Sequence, residues 1–240
     1  MSSCLPDTQR SGTIVTTSAP VTTPAAPRHH DYWNGFYAGA DRGRVPEQPS
    51  AFATWADRQL PPGQEVVELG FGTARDALFF ARRGRPVHGF DFAESAVDHA
   101  RTRAATEGLG ARFSLLDLYD DAGVDRVAGS LGSAAAARGV YGRFLVHSLE
   151  DPGRANLLRL AAAALGGDRG ELFLEFRTGK DLGQEHLFGD DHFRQFIDPM
   201  VVVLEVEHLG GEVTHLEEGC GLAVYRTEDP HVARLIARFP

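Results

Sequence analysis

The sequence predicts an α/β fold, a doubly wound and mostly parallel sheet with helices on both faces. Three observations carry that expectation. Short apolar runs alternate with helical patterns from residue 65 to about residue 209. Runs such as VVEL and LFLEF are rich in Val, Leu and Phe, as strands covered on both faces are. The first run ends at Gly70 and Gly72 and passes straight into a helical stretch. Such a junction needs a tight turn, and in open sheets of this kind ligands bind there.

The elements follow in order. Residues 1–28 are rich in Thr, Ser, Pro and Ala, and read as a disordered tail that cannot offset its chain entropy. The folded domain is expected over 29–240. Trp33, Phe36 and Tyr37 are spaced i, i+3, i+4, which puts three rings on one helical face. A second helix is expected from Pro49 to Gln59, closed by Pro61-Pro62-Gly63. Strands are then expected at 65–70, 86–92, 111–118, 139–149 and 170–178. Helices are expected at 74–83, 94–107, 151–165 and from Pro199 to about Leu209, while 122–138 is an ambiguous helix. Segment 212–219 reads as a strand. HVARLIARF has helical and strand readings; we take it as a strand returning antiparallel after the 219–230 loop.

Bulk properties narrow the function. The chain has 240 residues, enough for a well-buried domain without disulfides or a structural metal. Its 24 Lys and Arg against 33 Asp and Glu give a net charge of −9, a poor match for nucleic acid or an anionic membrane. Cys4 and Cys220 are the only cysteines, which fits a reducing compartment. No apolar stretch approaches the roughly 18 residues of a membrane span, and the N-terminus does not read as a signal peptide. A cytoplasmic protein is expected, with a small-molecule substrate and neither a nucleic-acid nor a membrane partner. Oligomeric state is not legible.

Two ligand classes use a glycine turn after the first strand. A dinucleotide calls for G-x-G-x-x-G, but Arg75 stands where the third glycine belongs. Glu68 would also set a negative charge beside a pyrophosphate. S-adenosylmethionine instead carries an ammonium, a sulfonium and a ribose diol, and Glu68 suits its cationic end. Asp91 ends the second strand about 20 residues beyond the glycines, where an acid accepts from both ribose hydroxyls. Asp117 in SLLDL is placed to accept from the adenine amino group.

The stretch VVELGFGTARDALFFARRGRPVHGFDFAESAVDHAR resembles the first two motifs of class I S-adenosylmethionine-dependent methyltransferases. LLDL is similar to the third motif, and YGRFLVHSLED to the fourth-strand segment of small-molecule members. One departure is Ala74, where the family often has a third glycine. The resemblance implies a Rossmann-like, seven-stranded sheet with an antiparallel last strand. It implies S-adenosylmethionine as cofactor, held by Glu68, Gly70, Phe71, Gly72, Asp91, Phe92, Asp117 and Leu118, with Trp33 and Tyr37 from the preceding helix as a lid. The reaction expected is O- or N-methylation of a small molecule. A nicotinamide oxidoreductase and a non-catalytic cofactor-binding module stand as rivals.

Several residues have two readings. His147, expected at the end of the fourth strand, is the candidate catalytic base or acceptor-orienting group; the other reading is a structural histidine. Glu150 and Asp151 read as a helix N-cap and first-turn acid, with Pro152 in the first turn. Arg177 is either a binder of an acidic substrate or a surface ion pair. Phe193 in the 179–198 insert, with Phe188 and Phe196, and Tyr225 in the 219–230 loop are candidate substrate covers. His186, Asp190, Asp191 and His192 match no zinc spacing, so no metal is expected.

Overall fold

A computed structural model describes residues 26–39, 45–134, 136–184 and 193–240. The lead-in helices are α1 (Ala26–Ala38) and α2 (Ala51–Gln59). The expected tail lies outside the described residues up to residue 25, and α1 begins inside its last three positions. Then come β1 (Glu65–Leu69), α3 (Arg75–Arg82), β2 (Val87–Asp91), α4 (Glu94–Thr106), β3 (Arg112–Leu115), α5 (Asp121–Ser133) and β4 (Arg138–Arg143). The chain finishes with α6 (Asp151–Leu165), β5 (Gly170–Arg177), α7 (Pro199–His208), β6 (Glu212–Gly219) and β7 (Val232–Arg238).

One sheet has seven strands in the order β3-β2-β1-β4-β5-β7-β6. Strands β1 to β5 pair in parallel, and β7 is antiparallel to both β5 and β6. The expected α/β architecture, including the antiparallel last strand, is therefore present. The order reverses between β1 and β4, so the carboxyl ends of those two strands frame the crevice of the fold.

Strand alternation splits the core in two. Val66 and Tyr141 face α2, α3 and α4, joining Phe52, Ala77, Phe80 and Val97. Val67 and Val140, their neighbours along the strands, face α5, α6 and α7, joining Val124, Leu157 and Val202. Having both faces covered explains why these strands are apolar at every position rather than at every second one.

Each of the first five strands ends before its expected bound, and two of them, β3 and β4, end well short. β3 stops at Leu115: Leu116 N–H makes the last ladder bond, to Asp91 O (2.9 Å), and Asp117 then turns the chain by accepting from Tyr119 N–H (2.8 Å). β4 stops at Arg143, because Phe144 takes the left-handed conformation at φ 55°. A 3-10 turn at Val146–Ser148 follows. Leu116, Leu118 and Leu145 are thus loop residues that are apolar because they pack on the core. The ambiguous 122–138 stretch is helix α5 as far as Ser133 and reaches β4 at Arg138, and HVARLIARF carries strand β7. Glu150 does occupy the N-cap position of α6, but its side chain makes no capping bond; its N–H donates to Tyr119 Oη (2.9 Å).

Candidate functional site

The site grows from the turn after β1. Gly70 and Gly72 hold φ of +67° and +55°, conformations that cost a residue with a Cβ. Space is also tight, against the ends of two side chains. A Cβ on Gly70 would lie 2.8 Å from Leu145 Cδ1, and one on Gly72 would lie 2.6 Å from Tyr37 Oη. Ala74, the departure from the glycine pattern, also sits at a positive φ of 57° and is fully buried. It occupies a glycine conformation without being one.

Above this turn is a cavity of about 210 Å³. It is walled by the glycine loop, by Phe90 to Phe92 at the end of β2, by Leu116 to Tyr119, and by Arg143 to Leu145 with Ser148 and Leu149. Trp33 and Tyr37 close it from α1. Their rings lie 5.8 Å apart at 20°. α1 is fastened to the start of α4 at Asn34, whose Oδ1 accepts from Ser95 N–H (3.0 Å) and whose carbonyl accepts from Ser95 Oγ (2.8 Å).

Three buried acids set the electrostatics. Asp91, 4% exposed, accepts from Gly72 N–H at Oδ2 (2.8 Å) and from Ala93 N–H at Oδ1 (3.0 Å). Burial pushes its carboxyl up to about 6, and the amide bonds hold it from rising further. Glu68 is also 4% exposed, and its Oε2 has no hydrogen-bond partner. Burial and then the charge of Asp76 push it well above the usual carboxylate range. Asp76 has several partners: it accepts from Ser50 N–H (2.8 Å), Ser50 Oγ (2.7 Å) and Tyr141 Oη (2.9 Å), and Arg75 Nε lies 3.7 Å from it. Ser50 in turn caps α2 through Ala53 N–H (2.9 Å).

The structure brings Glu68, Gly70, Phe71, Gly72, Asp91, Phe92, Asp117, Leu118, Trp33 and Tyr37 to this one cavity. Asp117 is exposed at its rim. Arg143 and Tyr119 also line it and were not singled out from the sequence, and so does Arg75, which the sequence marked only as a misfit to a dinucleotide motif. For Arg143 the signal was a lone charge inside an apolar run.

Other candidates are elsewhere. His147 does not end β4; it lies in the 3-10 turn, 2% exposed and outside the cavity lining. Its Nδ1 accepts from Arg177 N–H (3.1 Å), which leaves the proton of the neutral ring on Nε2. Its carbonyl accepts from Gln195 N–H (2.7 Å). Arg177 is neither on the cavity nor on the surface. It is 3% exposed and ion-paired to Asp181 (2.6 Å) and Glu228. Tyr225 sits in a tight turn, exchanging backbone bonds with Glu228, and neither it nor Phe193 lines the cavity. Phe188, His186, Asp190, Asp191 and His192 lie outside the described residues. Among the described residues no cluster suits a metal ion, and no helix is long and apolar enough to cross a membrane.

The buried acid with an orphaned oxygen, the Asp91 carboxylate at the next strand end and the sterically required glycines fit an S-adenosylmethionine-type ligand. A pyrophosphate would meet Glu68 instead. The fold is the one seen in solved S-adenosylmethionine-dependent methyltransferases. Residues 66–165 match the family model described as a methyltransferase domain. A 2-heptyl-1-hydroxyquinolin-4(1H)-one methyltransferase from Mycobacteroides abscessus is 33% identical over 96 residues, covering 35% of this chain and 42% of the relative. An S-adenosylmethionine-dependent methyltransferase from Anabaena variabilis superposes with a TM-score of 0.69 at 16% identity, over 91% of this chain and 96% of that one. A glycopeptide N-methyltransferase crystallised with S-adenosylmethionine gives 0.58 at 16% identity, over 80% and 95%.

Proposed function

We propose that this chain transfers a methyl group from S-adenosylmethionine to a small-molecule acceptor, in a cytoplasmic setting. The observation that carries the reading is Glu68. A fully buried carboxylate oxygen without a partner is costly, and it persists where a ligand supplies the missing partner. The ammonium end of the cofactor is such a partner.

The roles follow from position. Glu68 receives the cationic end. Gly70 and Gly72 let the main chain approach the ligand. Asp91, fixed by two amides, keeps acceptor capacity on both oxygens for the ribose hydroxyls. Phe92, Leu118 and Asp117 flank the base. Trp33 and Tyr37 exclude water from above. When bound, the cofactor supplies an electrophilic methyl group and its own leaving group. What remains for the protein is to hold the acceptor in line and dry, which is worth several orders of magnitude in rate. His147 acts here as a positioning residue: by receiving Arg177 N–H it pins the turn that presents Leu145 and Ser148 to the cavity.

The substrate of the Mycobacteroides relative, a hydroxylated quinolone, favours a flat and largely apolar acceptor. Calorimetric titration with S-adenosylhomocysteine tests the reading. One saturable site per chain, lost in Asp91→Ala, is expected. No binding by folded protein would sink it. Binding without turnover across an acceptor panel would favour the non-catalytic module.

A further inference from the structure

We propose that the acceptor reacts as an anion, an ionised acidic hydroxyl on an apolar or aromatic molecule, and that Arg143 receives it. The inference rests on the methyltransferase reading and names its acceptor class.

Arg143 is the last residue of β4. The register Glu68↔Tyr141 sets it two residues beyond Glu68, at the carboxyl edge of the sheet where the crevice opens. Its Nε donates to Glu175 Oε1 (2.8 Å), and its guanidinium lies over the Phe144 ring, 4.0 Å from the centroid. Nη1 and Nη2 donate to no described residue, although the side chain is only 17% exposed and lines the cavity. A held, planar fork of N–H donors that no described residue occupies is the geometry that recognises an oxyanion.

Charge counting separates this fork from the cofactor. Two guanidinium groups line the cavity, Arg75 and Arg143, and the cofactor carries one carboxylate. Arg75 opens α3 on the glycine loop, where Glu68 takes the ammonium of the same amino-acid end. That leaves Arg143 for a second anion. Its own counter-charge is shared: Glu175 is also 2.9 Å from Arg234 Nε, so one fully buried carboxylate serves two guanidinium groups. Arg234 has a further acid, Glu217, at 3.6 Å, but Glu217 is 38% exposed and screened by water.

Beside the Phe144 ring under Arg143, the cavity is also lined by apolar Leu145, Leu149 and Trp33. No histidine, lysine or cysteine lines the cavity among the described residues, and Glu68 and Asp91 are committed to the cofactor. An oxyanion needs no base. Its lone pair forms the new O–C bond as the sulfonium S–C bond breaks, the S–C bonding pair returns to sulfur to leave a neutral thioether, and no proton is left to place.

The test uses the wild type, Arg143→Met and Arg143→Lys, each checked for fold by circular dichroism. Each is titrated with S-adenosylhomocysteine. The loaded proteins are then titrated with 4-nitrophenol at pH values on either side of its ionisation, its absorbance reporting the bound form. We expect S-adenosylhomocysteine affinity to stay within about threefold in the variants. The wild type should prefer phenolate over phenol by about tenfold or more; Arg143→Lys should keep part of that preference and Arg143→Met none. Loss of about tenfold or more in S-adenosylhomocysteine affinity on Arg143→Met would assign the fork to the cofactor carboxylate and overturn the inference. Equal binding of phenol and phenolate by the loaded wild type, or no phenolate binding, would overturn it too. A wild type that does not bind S-adenosylhomocysteine at all would instead overturn the methyltransferase reading.

Discussion

The hydroxyl of Tyr37 rests where a side chain on Gly72 would begin, 2.6 Å from the position of that missing Cβ. The lid helix and the glycine turn are therefore matched surfaces, and the match depends on an atom that is not there. Gly72→Ala must strain a backbone at φ +55° and displace Tyr37. We expect a stability loss of about 1–3 kcal/mol by chemical denaturation. Affinity for S-adenosylhomocysteine should fall together with it. Unchanged affinity would mean that the turn does not touch the ligand.

Glu68→Gln separates folding from binding. The ligand-free chain holds a buried carboxylate oxygen with no partner. Neutralising it should raise the melting temperature of the free protein, by the equivalent of about 1 kcal/mol. The same change should weaken cofactor binding. Paired thermal scans with and without S-adenosylhomocysteine read both effects, and a free protein that melts lower in the variant refutes the first.

Asp91 imposes a pH dependence. Its folded value is pushed up to about 6 by burial, above the unfolded value of about 3.9. Between those values the folded chain holds more protons than the unfolded one. Stability of the ligand-free protein from this group therefore falls as pH rises through that window and levels off above it. Binding runs the other way, because ribose hydroxyls donate to the ionised form. Affinity for S-adenosylhomocysteine should rise by roughly tenfold from pH 5 to pH 7. Asp91→Asn should remove that part of the profile, and a flat wild-type profile would refute it.

Asp57 anchors a different region. Arg85 donates to its side chain (2.6 Å), to its carbonyl (2.9 Å) and to Pro61 O (2.6 Å), all under the turn that enters β1. Arg83 reaches the same carboxylate. Asp57→Ala leaves a buried guanidinium without its counter-charge, and we expect a loss of about 3–5 kcal/mol in urea unfolding. A loss below about 1 kcal/mol would show that water replaces the carboxylate.

The order of elements was legible because alternation of buried runs and helical stretches is local. The cofactor acids were legible because glycines and strand ends mark them. Strand ends were not. FLVHSL looks like a continuation of β4, since residues that pack beneath α6 are as apolar as residues in a ladder; only the left-handed Phe144 shows where pairing stops. That overreach put His147 at a strand end. Arg177 failed for another reason. Its buried partner Glu228 lies 51 residues away, and no local pattern distinguishes a surface arginine from one whose counter-charge arrives with a distant loop.

The position of β7 has a consequence for how the chain is made. β6 precedes β7 in sequence but touches the sheet only through it. A nascent chain can therefore zip β1 to β5 and settle α6 while β6 waits on the ribosome with no strand to join. Until β7 slides between them, the long edge of β5 stays open to other chains. Slow emergence of the segment that carries β6 and β7 would thus lengthen a period of stickiness, and chaperone demand during synthesis should track that window more than the stability of the finished fold.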